Sequence, residues 1–179
     1  MILQSRTKGR CVQRAGLFRY HLPIPLLTGI LLTVFFVSCA SGPDPIASFV
    51  TPDGPQYFIR TIRFRGADYR VPLDMTLLAE KTDRPVQVNI TLPLDIAGGL
   101  ETVTFHTDGD VLPVTALSRF YAEAESARYG GELTRPDFDR LRAYSGRPRL
   151  VVTSRAGTFD FSAPKEWPDR MATINRILD

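Results

Sequence analysis

From residue 56 onward apolar and polar residues alternate in short runs, and a period of two is the signature of strands with one face on a core. Tyr57–Arg65 carries Phe58, Ile62 and Phe64 on one parity and Tyr57, Ile59 and Thr61 on the other, which predicts a strand covered on both faces. Gly66-Ala67-Asp68 makes a turn. Tyr69, Val71, Leu73, Met75, Leu77 and Ala79 then alternate with Arg70, Asp74, Thr76 and Glu80, the clearest strand pattern in the chain. Pro72, which lacks a ladder donor, calls for a sheet edge or a bulge. Val86, Val88, Ile90 and Leu92 alternate with Gln87, Asn89 and Thr91, a third strand with one wet face. After a loop over 93–99, Leu100–Thr107 turns at Asp108-Gly109 and returns as Val111–Ala116. Leu117–Tyr129 reads as a single strand running to Gly130-Gly131, although its Ala, Glu and Arg content also fits a helix.

Two helices follow. Thr134 caps the first, with Pro136 in its opening turn, Asp137 at the positive end of the dipole and Gly146 as the stop. Arg149–Thr153 and Thr158–Phe161 form a last hairpin through Ala156-Gly157. Trp167, Met171, Ile174 and Leu178 then lie at i, i+4, i+7 and i+11, one apolar helical stripe. The expected fold is α+β and mainly β. It is an antiparallel sandwich or half-barrel of about seven strands, with two short helices near the C-terminus closing an open edge.

Upstream the pattern changes. Residues 40–55 hold four prolines and two glycines and read as a tether that extends at ~3.1 Å per residue, up to roughly 50 Å in all. The competing reading is an ordered arm folded back through Ile46, Phe49 and Val50. Before it, Arg6, Lys8, Arg10, Arg14 and Arg19 precede the apolar run Leu22–Val37, and no acidic residue interrupts them. A basic segment, an apolar core and small residues behind it make a secretory signal. The run is 16 residues with Pro23 and Pro25 inside it, short of the roughly 20 that a spanning helix needs, so a retained membrane helix is the weaker reading.

The end of that run, Val37-Ser38-Cys39-Ala40, resembles a bacterial lipobox, with Phe36 where that motif usually holds Leu. The resemblance implies cleavage before Cys39, a diacylglyceryl group on its thiol and a place in the cell envelope. Ala40 directly after the cysteine implies the outer membrane over the inner. Ser38 and Ala40 also fit ordinary cleavage after Ala40, which would release a secreted or periplasmic chain. The domain boundaries expected are thus 1–38 for the signal peptide, 39–55 for the lipid-anchored tether and 56–179 for one globular domain. The hairpin-rich second half is similar in style to uncharacterised exported bacterial sandwich domains, a resemblance of pattern that carries no activity.

Charge and cysteines narrow the function. Of 22 basic residues five lie in the leader, which leaves 17 against all 19 acidic ones, a net charge of −2. Acids and arginines are interspersed, so no nucleic-acid partner is expected. Cys11 falls in the leader and Cys39 is the lipidation site, so no internal disulfide remains. Arg60, Arg63, Arg65 and Arg70 are the densest basic group and could meet an acidic polymer or a lipid head group, but acids are available to pair with them, so a solvated strand face is the stronger reading.

Candidate chemistry is sparse. His106-x-Asp108-x-Asp110 on a strand would set three ligands on one side, as a metal-dependent hydrolase requires, but Asp108-Gly109 has its own job as a turn. His106 with Ser118 or Ser126 lacks a Gly-x-Ser-x-Gly elbow. Asp137 and Asp139 read as helix-start residues, and Gly98-Gly99 and Gly130-Gly131 do not lead a strand into a helix as a phosphate loop does. No cofactor and no catalytic residue is expected. The reading that follows is a non-catalytic envelope lipoprotein that binds an envelope protein or polymer. The alternatives are a small hydrolase using His106, Asp108 and Asp110, or a small-ligand or lipid carrier built on an apolar cavity.

Overall fold

Nine antiparallel strands, in the order β1-β2-β3-β4-β7-β6-β5-β8-β9, make up a sheet that closes on itself where β2 meets β9. The structure, a computed structural model, describes residues 44–178. The signal peptide, the spanning alternative, the cleavage sites and Cys39 all lie outside the described residues. The strands are β1 (Ile46–Thr51), β2 (Gly54–Arg65), β3 (Arg70–Leu78), β4 (Val86–Pro93), β5 (Leu100–His106), β6 (Val111–Ala122), β7 (Ser126–Leu133), β8 (Arg149–Ser154) and β9 (Gly157–Ser162). The helices are α1 (Leu94–Ala97), α2 (Arg135–Ala143) and α3 (Trp167–Leu178).

The mainly β, antiparallel character and the C-terminal helix are as the sequence reading has them; in place of a sandwich or half-barrel of about seven strands there is a closed barrel of eight with one strand more. Strands β2 to β9 form a closed eight-stranded barrel, and β1 is a ninth strand outside it. Closure rests on one pair, Arg65 with Ser162. The barrel follows from the alternation: Leu73, Met75, Val88, Ile90, Phe105 and Leu150 all face inward and are buried. In a barrel of eight strands the interior is just wide enough for side chains to fill. Phe64 sits in the interior with its ring 6.0 Å from that of Phe105 and 5.8 Å, edge-on, from that of Trp167. Outward positions of β3, β4 and β7 include Asp74, Thr76, Gln87, Asn89, Arg128 and Glu132, the reverse of a barrel that faces lipid. Among the described residues no helix is long and apolar enough to cross a membrane.

Four local expectations are corrected. Ile46–Thr51, inside the expected tether, is a strand paired with β2 from Ile46 opposite Ile59 to Thr51 opposite Gly54. Ile46 is buried while Phe49 and Val50 are exposed, so it is an ordered arm with a single inward anchor. The strand expected over Leu117–Tyr129 is two strands, β6 and β7, turning at 123–125 with the Glu123 amide donating to the Ser126 carbonyl at 2.7 Å. The loop over 93–99 contains α1, whose end is held by the Tyr129 hydroxyl donating to the Ala97 carbonyl at 2.8 Å. Helix α2 stops at Ala143, not at Gly146, because Tyr144 already adopts extended backbone. A Cβ at Gly146 would fall 2.4 Å from the Tyr144 hydroxyl, so that glycine makes room for the ring.

Other local readings hold. Thr134 caps α2 by accepting from the Asp137 amide at 3.2 Å, and Trp167, Met171 and Ile174 are the buried stripe of α3. Pro72 sits where β3 has only β2 beside it, since pairing with β4 begins at Leu73. The second edge of β2 has three partners in succession. β1 takes residues 54–59, Arg170 of α3 donates to the carbonyls of Arg60 and Thr61, and Ser162 takes Arg65. A bulge between Ile59 and Ile62 turns those two carbonyls away from β3.

Ala116 lies in the left-handed region at φ 50°, where a Cβ costs about 1–2 kcal/mol. The strain sits at a register shift between Thr115 and Ser118, just past the point where β6 loses β5 as a neighbour and keeps β7. Replacing Ala116 with Gly is expected to raise stability by about 0.5–1 kcal/mol, read as a higher urea midpoint at unchanged slope. A lower midpoint would mean the backbone is not held there.

Candidate binding surfaces

Two features of the surface are built by more than a local stretch of sequence. The first is the outer half of β6. Val111–Val114 pairs with Val103–His106 of β5, which has β8 on its other side, whereas β5 residues 100–102 pair with β8 alone, ending with Leu100 opposite Ser154. Residues 117–122 of β6 therefore have β7 on one side and, among the described residues, no strand on the other. Leu117 still packs inward, whereas Phe120 and Tyr121 are 58% and 49% exposed. The tip of the Phe120 ring covers Gly130, where a Cβ would come within 2.2 Å of Cζ. An unpaired edge carrying two exposed aromatics is a template for a further strand.

The second is a row of outward side chains at one level of the barrel. Arg70 faces Arg65, Arg65 faces Ser162, Ser162 faces Arg149, and Arg149 faces His106. Four strand spacings put the row at about 20 Å. Arg149 pairs with Asp160 at 3.1 Å. Arg60, Arg63, Arg65 and Arg70 are all exposed, and among the described residues their side chains have no ion pair or hydrogen bond. Sequence alone groups those four, but only the register brings Arg149 and His106 level with them.

The polar cluster at Asp74 is a different case. Asp74 faces outward yet is 4% exposed, its carboxylate accepting from Asn89 Nδ2 at 2.9 Å and from Arg128 Nη2 at 2.6 Å. Arg128 Nη1 also reaches Thr91 Oγ1 at 3.4 Å. Both carboxylate oxygens of Asp74 have a donor inside the cluster, so it straps β3, β4 and β7 together.

The His106 candidate does not assemble. β5 ends at His106, so strand alternation does not carry on to Asp108 and Asp110, which lie in the turn. There the Thr107 amide donates to the Asp110 carbonyl at 3.0 Å and the Asp110 amide to Thr107 Oγ1 at 3.2 Å. His106 Nε2 is 3.0 Å from Thr104 Oγ1. Asp108 is engaged by Tyr144, whose phenol is pushed above its ordinary range chiefly by that hydrogen bond. Among the described residues no three His, Cys, Asp or Glu side chains gather as metal ligands. Ser118 is seven residues along β6 from Val111, the neighbour of His106, a separation of about 20 Å that rules out a hydrogen-bonded pair. Asp137 and Asp139 are occupied by Arg140 and Arg142 at 3.3 and 2.8 Å. The axis a carrier would use holds Phe64, Phe105 and Trp167.

A shallow groove of about 350 Å³ runs over Gln56, Thr76, Arg84, Gln87 and Glu132, with Gln87 donating to Glu132 at 3.1 Å. It brings no nucleophile and base together. No family model, no curated protein and no solved structure matches this chain.

Proposed function

We propose that the protein is a non-catalytic binding module of the bacterial cell envelope, exported, lipid-anchored at Cys39 and favouring the outer membrane, whose folded part holds a protein partner. The observation that carries the binding role is the unpaired edge of β6 over residues 117–122, with Phe120 and Tyr121 exposed beside it. An extended partner segment added there gains main-chain hydrogen bonds along the edge, and the aromatics select its side chains. The anchor half of the reading rests on the sequence around Cys39.

Each half has its own test. The intact mass of the N-terminus, from protein purified out of the membrane fraction in detergent, is expected to show a diacylglyceryl-modified Cys39. An unmodified chain starting at Ser41 would replace the anchored module with a freely exported one. For the edge, a photo-crosslinking residue at Tyr121 in cells is expected to give a discrete protein adduct that one at Glu132 does not. Phe120→Ser, which leaves β6 paired with β7, is expected to remove it. Equal labelling from both positions would sink the edge as a binding site.

A further inference from the structure

We infer that Arg60, Arg63, Arg65 and Arg70 form a surface that lies against the phosphate-bearing head groups of the bilayer in which the chain is anchored. The inference rests on the anchor proposed above and adds to it an orientation. The chain enters the barrel at these arginines: the Pro45 carbonyl accepts from the Arg60 amide at 2.9 Å, and the first strand pair is Ile46 with Ile59. Arg63 and Arg65 follow on the same strand, and Arg70 faces Arg65 across the hairpin. Five residues separate Cys39 from Pro45, and the six steps between them reach about 20 Å at full extension. An acylated Cys39 therefore holds the Arg60 side of the barrel close to the membrane, whatever the direction of the rest.

The charges on that side are uncommitted. Elsewhere Arg128, Arg135, Arg140, Arg142 and Arg149 are paired with carboxylates, whereas these four have none among the described residues. Asp44 and Asp68 are the acids nearest in sequence to the entry point and the hairpin; Asp95, which accepts from the Tyr69 hydroxyl, and Asp160, paired with Arg149, also lie beside the hairpin, and among the described residues none of these acids pairs with the four arginines. Guanidinium groups match phosphate oxygens with paired donors, and an anionic leaflet favours each arginine at its surface by about fivefold.

The test uses the chain from residue 39 with Cys39→Ser, so that no acyl group contributes; everything from Pro43 onward clusters as one compact unit. It is sedimented with vesicles of phosphatidylcholine containing phosphatidylglycerol and with vesicles of phosphatidylcholine alone. Binding to the anionic vesicles only, weakened by salt, is expected. Arg63→Gln with Arg65→Gln is expected to weaken it about thirtyfold, with an unchanged melting curve. Arg155→Gln, at the far end of the β8–β9 hairpin, is expected to bind as the parent does. Equal binding to both vesicle types, or a double variant that binds like the parent, would overturn the inference. So would retention on soluble polyphosphate without vesicle binding, which would assign the surface to a polymer. The N-terminal mass reads the anchor separately: an unmodified N-terminus with vesicle binding intact overturns the anchor and leaves the arginine surface standing.

Discussion

Trp167→Ala is expected to destabilise the domain by about 4 kcal/mol, within the range for deleting a fully buried indole. Domains of this kind are stable by about 5–15 kcal/mol in all, so the variant should unfold at much lower urea. The size of the effect follows from position. Trp167 opens α3, is fully buried and meets Phe64 edge-on, so with Met171 and Ile174 it joins the helix to the barrel interior and is the largest side chain to do so. Its Nε1 hydrogen has no acceptor among the described residues. A buried donor left unmade costs about 1–3 kcal/mol. Trp167→Phe removes that cost while keeping most of the ring, and its net loss is expected to stay under about 2 kcal/mol. If the Phe and Ala variants lose equal stability, ring packing is not what Trp167 supplies.

The second large effect is at Asp74. Removing one member of a buried ion pair leaves the other charge uncompensated, at about 3–5 kcal/mol. The Arg128 side chain keeps 26% of its exposure, so Asp74→Ala is expected near the lower end, about 3 kcal/mol. Asn89 loses its acceptor as well. A double-mutant cycle with Arg128→Ala should return a coupling of about 1–3 kcal/mol from denaturation midpoints. Coupling near zero would show that solvent already satisfies both groups.

The strands were legible because alternation is local: Val71, Leu73, Met75 and Leu77 declare one face without reference to any partner. Closure was not, because it depends on the pairing of Arg65 with Ser162, which no window of sequence contains. β1 escaped because only Ile46 of its six residues is buried, so it has no inward stripe, and Pro45 and Pro52 flank it like linker residues. The β6–β7 turn escaped because Glu123-Ala124-Glu125 contains no Gly, Pro or Asn to mark it. At the candidate surfaces the split is similar. The four arginines are close in sequence and were grouped at once. The open edge at Phe120 and Tyr121 exists because β5 pairs with β6 only as far as Val103 opposite Val114, a register that no local stretch of sequence states.

The seam along β2 also bears on when the domain can fold. β2 is completed by Ser162 and by Arg170, which reaches the Arg60 carbonyl across 110 residues of chain. Contacts that distant are slow to form, since the entropy of closing the loop is lost before any packing repays it. A chain that emerges N-terminus first, from a ribosome or through a pore, cannot finish its barrel until α3 is out. Until then β9 and the stretch of β2 from Arg60 to Arg65 are open edges, and it is in that interval that a chaperone has most to protect.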